Sequence, residues 1–232
     1  MNRLEIVQTV IDDRRARTYV EIGVKKGKVF LHIKARKKLA VDPVLKISLK
    51  RKARACLRYA FNYFNEYYNM ASDDFFKRHS ERLLQLGGPD VVFIDGLHTY
   101  GQTWKDVLNS LEHLSSRGVI LMHDCSPASA YQAVPAESRE HAAAMNAAPR
   151  ADSWSGDVWK TIVRLRSERA DLHVGVLDCD HGVGIIFRGE PEGRLDFTEQ
   201  DINRLGYNDL EKDRPRLLNL KDPQQLRTIL RA

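Results

Sequence analysis

The chain has 232 residues, of which 43% are hydrophobic and 29% charged, the balance of an ordinary globular protein rather than a disordered one. No apolar run approaches bilayer length and the opening MNRLEIVQTVIDDRR lacks an apolar leader core, so a soluble cytoplasmic protein without a membrane partner is expected. Cys56, Cys125 and Cys179 are odd in number and lack paired metal spacing, which argues against a disulfide scaffold and a zinc site; the net charge is +6.

In chain order, a short helix over Arg3–Asp13 leads into a strand at Thr18–Gly23. The segment Tyr19–Pro43, YVEIGVKKGKVFLHIKARKKLAVDP, then reads as a buried strand, a Gly-containing turn, a short helix and a second strand, Leu39–Asp42. Glu21, Gly23 and Gly27 give the spacing E-x-G-x-x-x-G, in which glycine permits close approach of a ligand and the helix start offers free amides to an anion. Asp42, about twenty residues beyond the first glycine, is placed to accept both hydroxyl hydrogens of a ribose. A tight turn with a surface Asp is the plainer alternative.

Sixteen Lys and Arg against two acids lie between Arg14 and Arg58. Such a patch could attract nucleic acid or an anionic substrate, but aromatic interleaving is weak and no helix-turn-helix spacing occurs, so a solvated basic face is favoured.

Further strands are expected at Glu66–Met70, Asp90–Asp95 and Val119–Asp124; the near-continuous runs VVFI and VILM suit central parallel strands covered on both faces. Between the last two, Gln102–Ser115 carries Trp104, Val107, Leu108, Leu111 and Leu114 at helical spacing, completing a βαβ unit. Asp95 and Asp124 end neighbouring strands on the carboxyl edge, where two carboxylates call for compensation, and Mg²⁺ or another divalent cation would supply it. His98, three residues after Asp95, is suited to take a proton from a hydroxyl near neutral pH. Carboxylates bound by loop amides and a His on a helix shoulder are the plainer readings of the same residues.

Residues 125–156 form an Ala-, Ser- and Pro-rich stretch, a lid or surface insertion with one helix near Ala136–Met145. A helix over Asp157–Arg169 follows, with Trp159 read as core; then come two strands, Leu172–Asp178 and Gly182–Arg188, paired as an antiparallel hairpin across CDHG. Asp180 and His181 read as turn residues. Residues 190–232 form a polar tail ending in a weak helix near Pro223–Leu230. The whole makes one domain with its core at about 15–190: a Rossmann-like α/β fold with a seven-stranded, mostly parallel sheet, helices on both faces and a C-terminal hairpin.

YVEIGVKKG with VDP, MASDDFF (Met70–Phe76), VVFIDGLHTY, GVILMHDCSP and WSGDVWKTIVRLR (Trp154–Arg166) resemble, in order and spacing, the motifs of class I S-adenosylmethionine-dependent methyltransferases of the methyltransferase 24 family. The resemblance implies that Glu21, Gly23 and Gly27 wrap the methionine part of S-adenosylmethionine, that Asp42 binds its ribose, and that Ser72 and Asp73 meet its adenine. It places Asp95 near the methionine moiety or a metal, pairs Asp95 with Asp124 as Mg²⁺ ligands, and puts a catalytic base at His98. The implied activity is O-methylation of a small hydroxylated molecule such as a sugar or natural product. RNA or another polyanion is the alternative acceptor, and a non-catalytic cofactor-binding or interaction protein is the alternative role; a homo-oligomer is compatible with either. Two departures stand out. Lys25 replaces a second loop glycine, and His123 and Cys125 flank Asp124 where metal-dependent relatives carry another acid or Asn.

Overall fold

The computed structural model describes residues 1–145 and 154–231, so residues 146–153 of the expected lid lie outside the described residues. The described residues divide into two compact units, one formed by residues 1–96, 105–121 and 227–231, the other by 97–104 and 122–226.

The first unit opens with helix α1 (Arg3–Arg14), started by a capping box in which Asn2 and Glu5 bond each other's backbone amides, and stopped by Arg15 in the left-handed conformation. Its buried face is Ile6, Val7, Val10 and Ile11. Strands β1 (Thr18–Ile22) and β2 (Lys37–Val41) run parallel, with Val20 opposite Leu39. Helix α2 (Leu49–Arg58) and a 3₁₀ turn at Ala60–Phe64 lead to the short strand β3 (Glu66–Tyr68), parallel to β2. Helix α3 (Ser72–Gln85) precedes β4 (Val91–Ile94), which runs parallel to β1 with Val20 opposite Val92. Helix α4 (Tyr100–His113) and β5 (Val119–Met122) complete the βαβ unit. β1, β4 and β5 are buried at every position, as the unbroken apolar runs of β4 and β5 require.

In the second unit, α5 (Arg139–Met145) and α6 (Trp159–Glu168) precede β6 (Leu172–Leu177) and β7 (Val183–Arg188), which pair antiparallel with Leu177 opposite Val183. Helices α7 (Glu199–Arg204) and α8 (Tyr207–Leu218) then return the chain to a two-residue strand, β8 (Leu220–Lys221), parallel to β6. Helix α9 (Leu226–Ile229) closes the described chain.

The strand order is β3-β2-β1-β4-β5-β7-β6-β8, an α/β sheet that is mostly parallel with the hairpin toward one edge. The eighth strand is an addition to the expected seven. At two residues β8 is too short to carry a period-two signal.

Two other differences have local causes. The helix expected after the first glycine turn is absent: residues 25–32 are successive turns, interrupted by left-handed Gly27 and containing buried Val29, Phe30 and Leu31. The tail beyond residue 190 contains α7 and α8 rather than only a weak terminal helix: the Thr198 and Gly206 amides donate to the carboxylates of Asp201 and Asp209, and in α7 Thr198 Oγ1 accepts the Asp201 N–H in return. Leu210, Leu217 and Leu218 bury the inner face of α8 beneath an otherwise charged sequence.

Candidate active site

In the first unit the β1–β2 crevice is shaped by backbone geometry. Gly23 sits at φ 90°, donates its N–H to the Val41 carbonyl at 2.9 Å, and passes so close to the end of β4 that a Cβ there would stand 2.0 Å from the Asp95 carbonyl oxygen. Only glycine fits that position. Lys25 also adopts a left-handed conformation, φ 45°, so the backbone retains the demand that a glycine would meet without strain.

Asp42, at the end of β2 and nearly buried, accepts the Lys25 N–H on Oδ2 and the Val44 N–H on Oδ1, each at 2.7 Å. These bonds fix the carboxylate against the loop, and each oxygen retains a second lone pair for a hydroxyl. With no helix after Gly27, the free-amide anion site expected there is not built.

Glu21 is held by its neighbour in β1. It lies buried within β1 and accepts the Tyr19 hydroxyl at 2.5 Å, and burial pushes its carboxyl up to about 8. Nearby, the buried Lys38 ammonium donates to the carbonyls of Phe30 at 2.6 Å and Ile33 at 2.8 Å, tying down the chain between Gly27 and β2; burial draws its pKa to about 7. Glu21 and Lys38 therefore brace the loop from beneath. Ser72, at the start of α3, donates to Asp106 Oδ1 at 2.5 Å inside the fold, whereas Asp73 is half-exposed and 3.8 Å from the Lys105 ammonium. Asp95 receives a cation from its own unit: Arg3 Nη1 lies 3.0 Å from its Oδ2.

In the second unit His98 and Asp124 come together. His98 Nδ1 is 2.7 Å from the Trp154 carbonyl oxygen and 3.3 Å from Asp124 Oδ2, and the imidazole stacks on the Trp154 indole with ring centres 5.4 Å apart. Both of those neighbours of Nδ1 are acceptors, so Nδ1 carries the proton and the neutral ring has its basic lone pair on Nε2. Asp124, at φ 62°, also receives Ser155 Oγ on Oδ1 at 2.9 Å and His123 Nδ1 on Oδ2 at 3.0 Å. A non-glycine residue held left-handed at a buried carboxylate is the kind of strain that active sites retain. His123 reaches onward, its Nε2 3.6 Å from Asp180 Oδ1.

Residues 154–157, the end of the expected lid and the start of the expected helix, enclose His98. Gly156, at φ 63°, runs against the His98 backbone, where a Cβ would stand 1.8 Å from the carbonyl oxygen. The Asp157 carboxylate accepts the Tyr100 N–H at 2.7 Å and so serves the start of α4; α6 itself begins at Trp159, which is core as expected. WSGD carried a signal for this, a small residue and a glycine between an aromatic and an acid, but nothing in the local sequence tied it to His98 fifty-six residues earlier.

Asp180 and His181 occupy the hairpin turn in left-handed conformations, and the turn's carbonyls accept the N–H groups of Cys125 and Ser126 immediately after Asp124. An open cleft of about 480 Å³ borders this turn, lined by Ser126, Asp180, His181, Tyr207, Glu211 and Arg214 among others. Its walls are mainly polar.

A model of the methyltransferase domain termed methyltransferase 24 matches residues 20–125, a span that contains every predicted site residue from Glu21 to Asp124. The fold is similar to that of the O-methyltransferase TomG from Streptomyces achromogenes, involved in tomaymycin synthesis and solved in complex with SAM. Identity is 11%, the TM-score is 0.56, and 80% of this chain and 79% of that one are covered. An O-methyltransferase from Bacillus cereus in complex with SAH is similar at 12% identity and TM-score 0.52, covering 80% of each chain. The SAH-bound methyltransferase PaMTH1 from Podospora anserina is similar at 17% identity and TM-score 0.51, covering 82% of this chain and 80% of that one. No curated protein matches the chain. Residues 20–125 match the model of a methyltransferase domain, and the fold is similar to that of methyltransferases solved with SAM or SAH.

Proposed function

We propose that the protein is an S-adenosylmethionine-dependent O-methyltransferase acting on a small hydroxylated acceptor such as a sugar or natural product, with His98 as the general base. The observation that carries this reading is the His98–Asp124 pair, whose geometry leaves the basic nitrogen at Nε2. The fold's similarity to structures solved with SAM or SAH supports the cofactor, as do the Gly23 and Lys25 turns and the fixed Asp42 carboxylate. When bound, the cofactor supplies an electrophilic methyl group on a sulfonium.

The chain's own residues do the rest. Asp42 accepts ribose hydroxyls, and Gly23 and Gly27 let the backbone close around the methionine part. Ser72 and Asp73 border the adenine, and Asp95 the methionine end. His98 Nε2 takes the proton of the acceptor hydroxyl as the oxygen becomes nucleophilic, and Asp124 stabilises the resulting imidazolium through Nδ1–H. Holding the acceptor in line contributes most, on the order of 7–11 kcal/mol, and proton removal a further ~10²–10⁴-fold. The polar cleft beside Ser126 and Asp180 suits a hydroxyl-rich molecule.

A metal-assisted variant has a specific observation in its favour: the His98 imidazole and the Asp124 carboxylate, 3.3 Å apart, are ligand types suited to a divalent ion, which would act as a Lewis acid toward the acceptor oxygen. Against it, the carboxylates already have compensation from Arg3 on Asp95 and from His98, His123 and Ser155 on Asp124. The base reading is therefore preferred.

The test is His98→Ala, measured as turnover with a panel of hydroxylated acceptors and as cofactor binding by calorimetry, with and without chelator. Turnover should fall ~10²–10⁴-fold while cofactor binding persists, and chelation should leave the wild type active. Unchanged turnover removes His98 from the mechanism, and activity lost to chelator and restored by Mg²⁺ establishes the metal variant.

A further inference from the structure

The surface of the first unit around α2 carries features that methyl transfer does not require. Residues 49, 53 and 57 fall one helical turn apart and so form one row along α2. They are Leu49, Ala53 and Leu57, all exposed, the two leucines at 83% and 89%. Burying one side of a helix while leaving two leucines almost fully in water is a cost that a solvated basic face does not explain. The adjacent row, Lys50, Arg54 and Arg58, is also exposed.

The 3₁₀ turn that follows, Ala60–Phe64, adds exposed aromatic rings. Phe61, Tyr63 and Phe64 are exposed, Tyr63 at 80%, and they pack on one another: Tyr63 meets Phe64 nearly perpendicular at 5.5 Å, and Phe61 meets Phe64 at 6.3 Å. Arg36 lies over the Phe61 ring. The weak aromatic interleaving of the linear sequence thus becomes, in the fold, a knob of rings beside a basic helix. The two acids between Arg14 and Arg58, Glu21 and Asp42, are buried, and the next, Glu66, is held by Lys37 and Arg82 at 2.6 Å each.

We propose that α2 and the Ala60–Phe64 turn form a docking surface for an anionic phospholipid membrane, on which the protein lies without crossing it. A row of aliphatic and aromatic side chains flanked by Lys and Arg is the composition that seats a helix at the headgroup boundary, where apolar groups enter and cations remain among phosphates. No helix among the described residues is long and apolar enough to cross a membrane, which is consistent with surface attachment. Single-stranded RNA fits less well. Leu49 and Leu57 offer no planar face to a base, and the rings are spent partly on each other's edges rather than set out as stacking platforms.

The test is co-sedimentation of the full chain with vesicles of phosphatidylcholine alone and of phosphatidylcholine mixed with phosphatidylglycerol. The mixed vesicles should bind the protein and the neutral ones should not. Leu49→Ser with Leu57→Ser should weaken binding on the order of tenfold or more. Lys50→Gln with Arg54→Gln should weaken it roughly thirtyfold, and added salt should act in the same direction. All four side chains are exposed, so circular dichroism and thermal melting should be unchanged in both variants, which separates lost docking from lost folding. Absence of binding to the mixed vesicles, or equal binding by the leucine variant, overturns the proposal. So does tighter binding to an oligouridylate than to the vesicles, or a wild-type dimer that the leucine substitutions dissociate, since either assigns the face to another partner.

Discussion

Replacing Gly23 by Ala isolates the contact that shapes the β1–β2 crevice, and Gly87→Ala supplies the matched control. Both glycines are left-handed, at φ 90° and 78°, but a Cβ at Gly87 meets nothing within 4 Å, whereas one at Gly23 stands 2.0 Å from the Asp95 carbonyl oxygen, 2.4 Å from its carbon and 2.5 Å from Gly96 Cα. The control therefore carries only the conformational cost, about 1–2 kcal/mol. At Gly23 the obstacle is backbone that cannot rotate aside, and overpacking adds ~1–3 kcal/mol or more as β1 and β4 are pushed apart at the Ile22–Asp95 hydrogen bond, now 2.8 Å. For a chain of this size each kcal/mol lowers the melting temperature by about 2–4 °C. Gly87→Ala should thus lose roughly 2–8 °C, and Gly23→Ala clearly more, about 6–12 °C if the sum is near 3 kcal/mol. The assay is thermal denaturation followed by circular dichroism, paired with calorimetric titration of S-adenosylmethionine, whose affinity should fall in Gly23→Ala alone. Equal melting losses in the two variants would refute the steric argument, and an unchanged cofactor affinity in Gly23→Ala would separate this turn from the cofactor.

Other expectations follow from the same unit. Lys25→Gly should raise stability by up to about 1 kcal/mol, since glycine relieves the left-handed strain but loses more chain entropy; a lower melting temperature would show that the lysine side chain itself holds the loop. Glu21 gives a pH dependence. Its carboxyl is raised by burial from the ordinary 4.5 to about 8, so between those values the folded chain keeps a proton that the unfolded chain releases, and stability should decline as pH rises through that window. Urea titrations of wild type and Glu21→Gln across the range check this, because the variant should lose that part of the slope, and parallel profiles would assign the dependence elsewhere. The chain passes between its two units at 96/97, 104/105, 121/122 and 226/227, so neither unit is a separable stretch of sequence; we propose that they unfold together as one domain. Scanning calorimetry should give a single transition, and two resolved transitions would divide the domain.

Much of the sheet was legible because burial on both faces leaves a mark that needs no tertiary information. VVFI and VILM became β4 and β5, and the hairpin across CDHG pairs Leu177 with Val183 as the turn residues suggested. The segment after Gly27 was misread as a helix because its apolar residues, Val29, Phe30, Leu31 and Ile33, fit a helical window as well as a buried run of turns. What decided against the helix is partly distant in sequence: Lys38 takes the carbonyls of Phe30 and Ile33, which a helix would have used internally. α2 was seen only as a run of charge, since Leu49, Ala53 and Leu57 point outward and its apolar row is not the row it buries.

The candidate site divides along the same line. The sequence by itself determined which residue types stand at the strand ends, Gly23, Asp42, Asp95, His98 and Asp124, because strand termini and turn glycines follow from local periodicity and backbone sterics. Only tertiary structure decided what each one faces. It turned Glu21 into a buried brace and engaged Ser72 with Asp106. It gave Asp95 to Arg3, and set His98 against Asp124 and Trp154 with its proton on Nδ1. The reason is physical: a hydrogen bond fixes a role through a few tenths of an ångström between residues far apart in the chain, and no local pattern encodes that distance.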